Sequence, residues 1–240
     1  MRRSVMPIRP RSNIHRTKQA FVYGALRQGI LRCELSPGQR LVIEDLARKL
    51  DVSPIPVREA LHLLQSEGLV ETVPHVGTTV APLSRESILE TFSILEGLQV
   101  VAARLVATRH DPAEAAELEG LVVGMDEALA AGRLESWAEL NARFHVMLGA
   151  LPGLPLLEQM TNQAFDRWDR VRRYFFSNVL ALRVSQAQQE HHAIVAAIRA
   201  RDIDAVVALV HAHSQSALAA YLEYLDQRAL ADGDARPAQS

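Results

Sequence analysis

Apolar residues recur at helical spacing through most of this chain, and the period shortens only near residue 70. Over 15–33, Phe21, Ala25, Leu26 and Ile30 form the buried face of a first helix. Over 43–50, Ile43, Leu46, Ala47 and Leu50 line up in the same way. Glu44 and Asp45 fall in that helix's first turn, where acidic groups suit the positive end of the helix dipole. Asp51, Val52 and Ser53 form a turn, and Ser53 is a natural N-cap for the next helix. That helix is predicted over 54–67. Pro54 and Pro56 stand in its first turn, where a missing N–H costs little. Val57, Leu61 and Leu64 make its buried stripe, and Gly68 ends it. Arg58, His62 and Gln65 form a second stripe on another face. Residues 69–73 then read as a strand, Pro74 to Gly77 as a turn, and 78–80 as a second strand. Leu41 and Val42 are predicted as a short strand pairing with this hairpin.

Helix, turn, helix and hairpin in that order make a winged helix-turn-helix, whose second helix enters a DNA groove. Pro82 and Ser84 mark a boundary, and helical periodicity then runs to about residue 228. Helices are predicted over 84–109, 112–131, 135–150, 155–179, 183–200 and 202–228. The fold class is therefore mostly α: an N-terminal winged helix-turn-helix with a small β-wing, then an antiparallel bundle of six or seven helices. The expected divisions are a disordered basic arm (1–12), the DNA-binding domain (13–82), the helical domain (83–228) and a disordered tail (229–240).

Composition narrows the class. The chain has 240 residues, 48% hydrophobic and 22% charged, which fits two ordinary globular domains. No uninterrupted apolar run approaches the ~18 residues of a membrane helix, so no membrane partner is expected. The single cysteine, Cys33, excludes an internal disulfide and fits a reducing cytoplasm. Residues 1–80 carry 12 Lys/Arg against 7 Asp/Glu, whereas residues 81–240 carry 14 against 21. Only the basic N-terminal part is suited to a polyanion.

The segments PGQRL, LARKL, PVREAL and EGLV resemble the DNA-binding domain of GntR-type bacterial transcriptional regulators, over roughly residues 16–81. By that resemblance Arg40, Ser53, Arg58 and the wing residues His75 and Gly77 contact DNA; His62 shares the Arg58 stripe. Pro54 and Ile55 stand where many members carry an Arg–Thr pair. Asp51 stands where Gly is common, and Asp tolerates a left-handed backbone better than most residues. Farther on, FSILEGLQVVAARL, NARFH, EHHAIVAAI and HAH resemble the FCD ligand-sensing domain of the FadR-like branch, over residues 84–226.

The helical region holds the candidate chemistry. Asn141 and His145 lie one turn apart, His191 shares the stripe of Ile194 and Ile198, and His213 shares that of Val206, Leu209 and Val210. All four should face the bundle interior, while His211 faces elsewhere. Imidazoles suit Zn, Ni and related divalent ions. In the resembling domains an Asp, a His one turn later and two further His hold a metal; Asn141 takes the Asp place here. Effectors of that branch are often small organic acids bound beside the metal. An Arg commonly holds them from one turn before the first-helix Glu, a place taken here by Phe92, four residues before Glu96. Arg143, Arg170 and Arg173 are the candidate substitutes. The sequence thus reads as a cytoplasmic, homodimeric repressor, not an enzyme, that binds an inverted-repeat double-stranded operator and answers to a small-molecule effector. The alternative is a metal-dependent hydrolase using the histidine cluster, though no suitably placed general base stands out.

Overall fold

The structure is a computed structural model that describes residues 13–109, 111–175, 179 and 181–234. The expected basic arm over 1–12 lies outside these residues, as do positions 235–240 of the expected tail. The chain divides into two compact units, Met1–Pro82 and Leu83–Ser240.

The first unit contains α1 (Asn13–Leu31), α2 (Ile43–Lys49), α3 (Pro54–Ser66), β1 (Val70–Val73) and β2 (Gly77–Val80). Val22, Leu26 and Ile30 of α1 meet Val57, Leu61 and Leu64 of α3 in one core, with Leu46 and Ala47 of α2 beneath them. The α1 face differs in part from the sequence expectation. Phe21 is 58% exposed and Ala25 is exposed too; Leu26 and Ile30 are buried as expected, and Val22 completes the buried face. Tyr23 and Arg27 of α1 both bond the Glu67 carboxylate at the C-terminus of α3, which fixes that end. Asp51 adopts φ +52 between α2 and α3, the left-handed geometry anticipated for it. The strands pair antiparallel, with Val70 opposite Val80 and Val73 opposite Gly77. The expected strand at Leu41 and Val42 is instead one bridge between Arg40 and Thr79, because α2 begins at once, at Ile43.

The second unit is a bundle of six helices among the described residues. They are α4 (Arg85–Arg109), α5 (Pro112–Ala130), α6 (Leu134–Ala150), α7 (Pro155–Tyr174), α8 (Ala181–Ala200) and α9 (Ile203–Asp234). Asp111 caps α5 by accepting from the Ala113 N–H at 2.8 Å, and Gly132 at φ +66 closes it. Helix α7 stops at Tyr174, short of the expected 179, and α9 runs to Asp234, past the expected 228. Helix α4 and residues 203–228 of α9 are long and apolar enough to cross a membrane by length and composition, with mean hydropathy 1.3 and 1.2. Charged residues interrupt both, so neither is an unbroken apolar run. Both line the bundle core, through Ile88, Phe92 and Leu95 on α4 and Leu218 and Tyr221 on α9.

Helices α6 and α7 approach closely at Gly149. A Cβ there would lie 2.5 Å from Cγ2 of Thr161, a fully buried β-branched residue with no room to turn. Gly149→Ala should therefore destabilise the protein by about 1–3 kcal/mol despite alanine's better helix propensity. Chemical denaturation measures this; a neutral or stabilised variant would mean that the two helices part freely.

Candidate functional site

In the first unit, α3 has one buried side and one open side. Val57, Ala60, Leu61 and Leu64 are buried, whereas Arg58, His62 and Gln65 are exposed. Ser53 occupies the N-cap position in an extended conformation, but its side chain makes no capping hydrogen bond. The cap expected there is absent, and the exposed hydroxyl remains at the helix entrance. At the wing, His75 (φ +63) and Gly77 (φ +99) both take left-handed backbone and are exposed. Arg40 reaches this turn: its Nε lies 3.9 Å from where a Cβ on Gly77 would stand. The fold thus places Arg40 beside Gly77 on the wing, and Arg58 and His62 together on α3.

In the second unit, two aromatic-rich clusters flank a polar centre. Phe144 of one cluster and Phe165 and Trp168 of the other all contact His145. His145, His191 and His213 are each at most 6% exposed, and one ring nitrogen from each lies within 4.8 Å of the others. Asn141, 3% exposed and one turn before His145, lines a cavity together with His145 and His213. The surroundings orient the rings. Nδ1 of His145 lies 2.9 Å from Gln99 Oε1, and Nδ1 of His213 lies 2.6 Å from Glu190 Oε2. When each Nδ1–H donates outward, Nε2 is left with a lone pair. Burial, and then the neighbouring His213, hold His145 and His191 well below the ordinary imidazole value. Burial lowers His213 as well, opposed by its bond to Glu190. Neutral rings are the ligating form.

Neither nitrogen of His191 has a partner, though the ring is fully buried. An unsatisfied buried polar group costs about 1–3 kcal/mol, and a coordinated ion would satisfy one of these nitrogens. Tetrahedral zinc with bonds of about 2.1 Å sets its ligands roughly 3.4 Å apart, so side-chain shifts of an ångström or so would close the trio. The donor set therefore fits a divalent metal. The cavity measures about 40 Å³. At ~10–15 Å³ per water, that holds an ion and two or three waters, not a large organic molecule.

The arginines expected at the effector lie elsewhere. Arg143 is exposed on the outer face of α6, and Arg173 is exposed and paired with Asp169 at 2.7 Å. Arg170 is buried but does not line the cavity. Arg183 does line it. It bonds Glu190 and the carbonyl of His213, the latter at 3.2 Å. Its sequence signal was the spacing Arg183, Ala187, His191, four residues each, which puts it on the histidine face of α8. Gln99 was also missed; a lone polar residue inside the apolar stripe of α4 was the clue. His211 is exposed, bonded to Glu96 at 2.6 Å.

A winged helix-turn-helix joined to an all-helical unit defines a two-domain DNA-binding transcription regulator. The chain belongs to the bacterial regulatory proteins of the gntR family, matched over residues 18–80, and carries an FCD domain, matched over residues 90–216. It is 31% identical over 192 residues to an HTH-type transcriptional regulator in an unstable DNA locus of Streptomyces ambofaciens, covering 78% of each chain. It is 27% identical over 194 residues to the HTH-type transcriptional repressor RspR of Escherichia coli, covering 81% of this chain and 84% of that one. The solved structure of E. coli McbR/YncC superposes with a TM-score of 0.68 at 25% identity, covering 86% and 98% of the two chains. These relatives are regulators, and so is this chain; nothing among them supports the hydrolase alternative.

Proposed function

We propose that the chain is a cytoplasmic, homodimeric repressor whose grip on an inverted-repeat operator is adjusted by a small effector at the histidine centre. The observation that carries the DNA-binding half is the two-sidedness of α3: one side is core, and the side bearing Arg58, His62 and Gln65 is open. That side would lie in the major groove, with Arg58 bonding base edges, while Arg40, Ser53, His75 and Gly77 meet the backbone or minor groove. Repression follows the naming of RspR. His145, His191 and His213 would hold zinc or nickel, with Asn141 as a neutral fourth donor. The ion would supply a positive centre to which an anionic effector is drawn. Binding that differs between two dimer arrangements would then shift operator affinity.

Selection of duplexes from a random pool tests the reading. The enriched sequences should be inverted repeats whose half-sites are centred roughly one helical turn apart. A pool that enriches no motif would rule out sequence-specific recognition.

A further inference from the structure

Resting on the proposed reading of DNA by α3, we infer that Ile55 is a specificity-determining residue, which selects a thymine by packing on its 5-methyl group. Ile55 is the second residue of α3 and is 55% exposed. At about 100° per residue, the nine positions from Ile55 to Leu64 set the two side chains about 180° apart around the helix. Leu64 is fully buried in the core of the first unit. Ile55 therefore points straight away from that core. It shares the open side with Arg58 and His62, one and two turns on.

Folding gives no reason for a branched apolar side chain there. The start of the helix is held to the body by Val52 and Val57, either side of Ile55: Val57 is fully buried and Val52 packs against the same core. Isoleucine is also a poorer helix former than alanine or glutamate. Pro54 and Ile55, both exposed, leave the first two residues of α3 without a side chain that can donate or accept a hydrogen bond; Arg58, His62 and Gln65 follow. The first residues of a recognition helix are the ones that meet base edges. Most features of the major-groove floor are hydrogen-bond donors or acceptors, and the one that rewards an apolar side chain is the thymine methyl. Position follows from geometry. Three residues rise about 4.5 Å along the helix, against about 3.4 Å per base step. The thymine should thus lie one or two base pairs from the base that Arg58 bonds.

The test uses the full-length chain and the operator recovered from the random pool. Each thymine of the half-site is replaced in turn by deoxyuridine, in both half-sites at once, which removes the methyl and nothing else from the base. Fluorescence anisotropy should find one thymine, within two base pairs of the base that Arg58→Ala no longer discriminates, where uracil weakens wild type by about tenfold or more: about fourfold per methyl, in each of two half-sites. Ile55→Ala should melt as wild type does, bind the thymine operator more weakly by a similar factor, and bind the uracil and thymine duplexes alike. Three results would overturn the inference and leave the role of Arg58 standing: a half-site with no thymine at that place, wild type that tolerates uracil at every thymine, or Ile55→Ala that still prefers thymine there as strongly as wild type. A pool that yields no motif would instead remove the reading of DNA by α3, and this inference with it.

Discussion

Replacing Arg58 with alanine is expected to abolish operator-specific binding while leaving thermal stability nearly untouched. The side chain is exposed and contributes nothing to the core of the first unit, so its removal should cost the fold less than about 0.5 kcal/mol. A bidentate contact from arginine to a base is worth about 1–3 kcal/mol, and a dimer on an inverted repeat makes it twice. The loss is then roughly 2–6 kcal/mol, from about thirtyfold to beyond a thousandfold in affinity. Residual binding should resemble non-specific binding, steeply weakened by salt. Fluorescence anisotropy with operator and scrambled duplexes measures both. A variant that still discriminates the two as wild type does would remove Arg58 from base recognition.

The second large effect concerns the ion. Protein purified without a histidine tag and incubated with zinc or nickel should retain roughly one divalent ion per chain by elemental analysis. Metal at a hundred times its dissociation constant stabilises by about 2.7 kcal/mol, which at about 2–4 °C per kcal/mol raises the melting temperature by roughly 5–10 °C. His191→Ala should lose the ion and the shift together. Asn141→Asp, which adds a negative donor, should tighten retention. The sign of the pH dependence follows from the lowered histidines. The unfolded chain takes up protons near the ordinary value of about 6.5, whereas the buried rings resist them. Stability of the metal-free protein is therefore intact above that pH and declines as pH falls below it. No retained ion after incubation with either metal would eliminate the metal centre.

Much of this molecule was legible in its residues, for reasons that are local. Ser53, Pro54 and Pro56 announce the start of α3, and Gly68 at φ +68 its end. Asp51 at φ +52 carries a turn that alternation alone would not have located. The three histidines were visible because each shares a stripe with buried aliphatic residues. What was hidden depended on tertiary packing. No glycine or proline marks the end of α7; Phe175, buried against Tyr221 and Tyr224, lies just past it. Phe21 looked like core because it is large and aromatic, yet Val22 takes the buried place. The candidate effector arginines on α6 and α7, Arg143, Arg170 and Arg173, do not line the cavity. Arg183 does line it, because packing of α8 on α9 carries its guanidinium to Glu190 and the His213 carbonyl, a contact no local pattern in the sequence announces.

The Glu190 carboxylate accepts from both the charged Arg183 guanidinium and the His213 ring. Removal of the guanidinium, as in Arg183→Gln, would free Glu190 of that partner. The freed carboxylate would then polarise the His213 ring more strongly and make its far nitrogen a better donor to an ion.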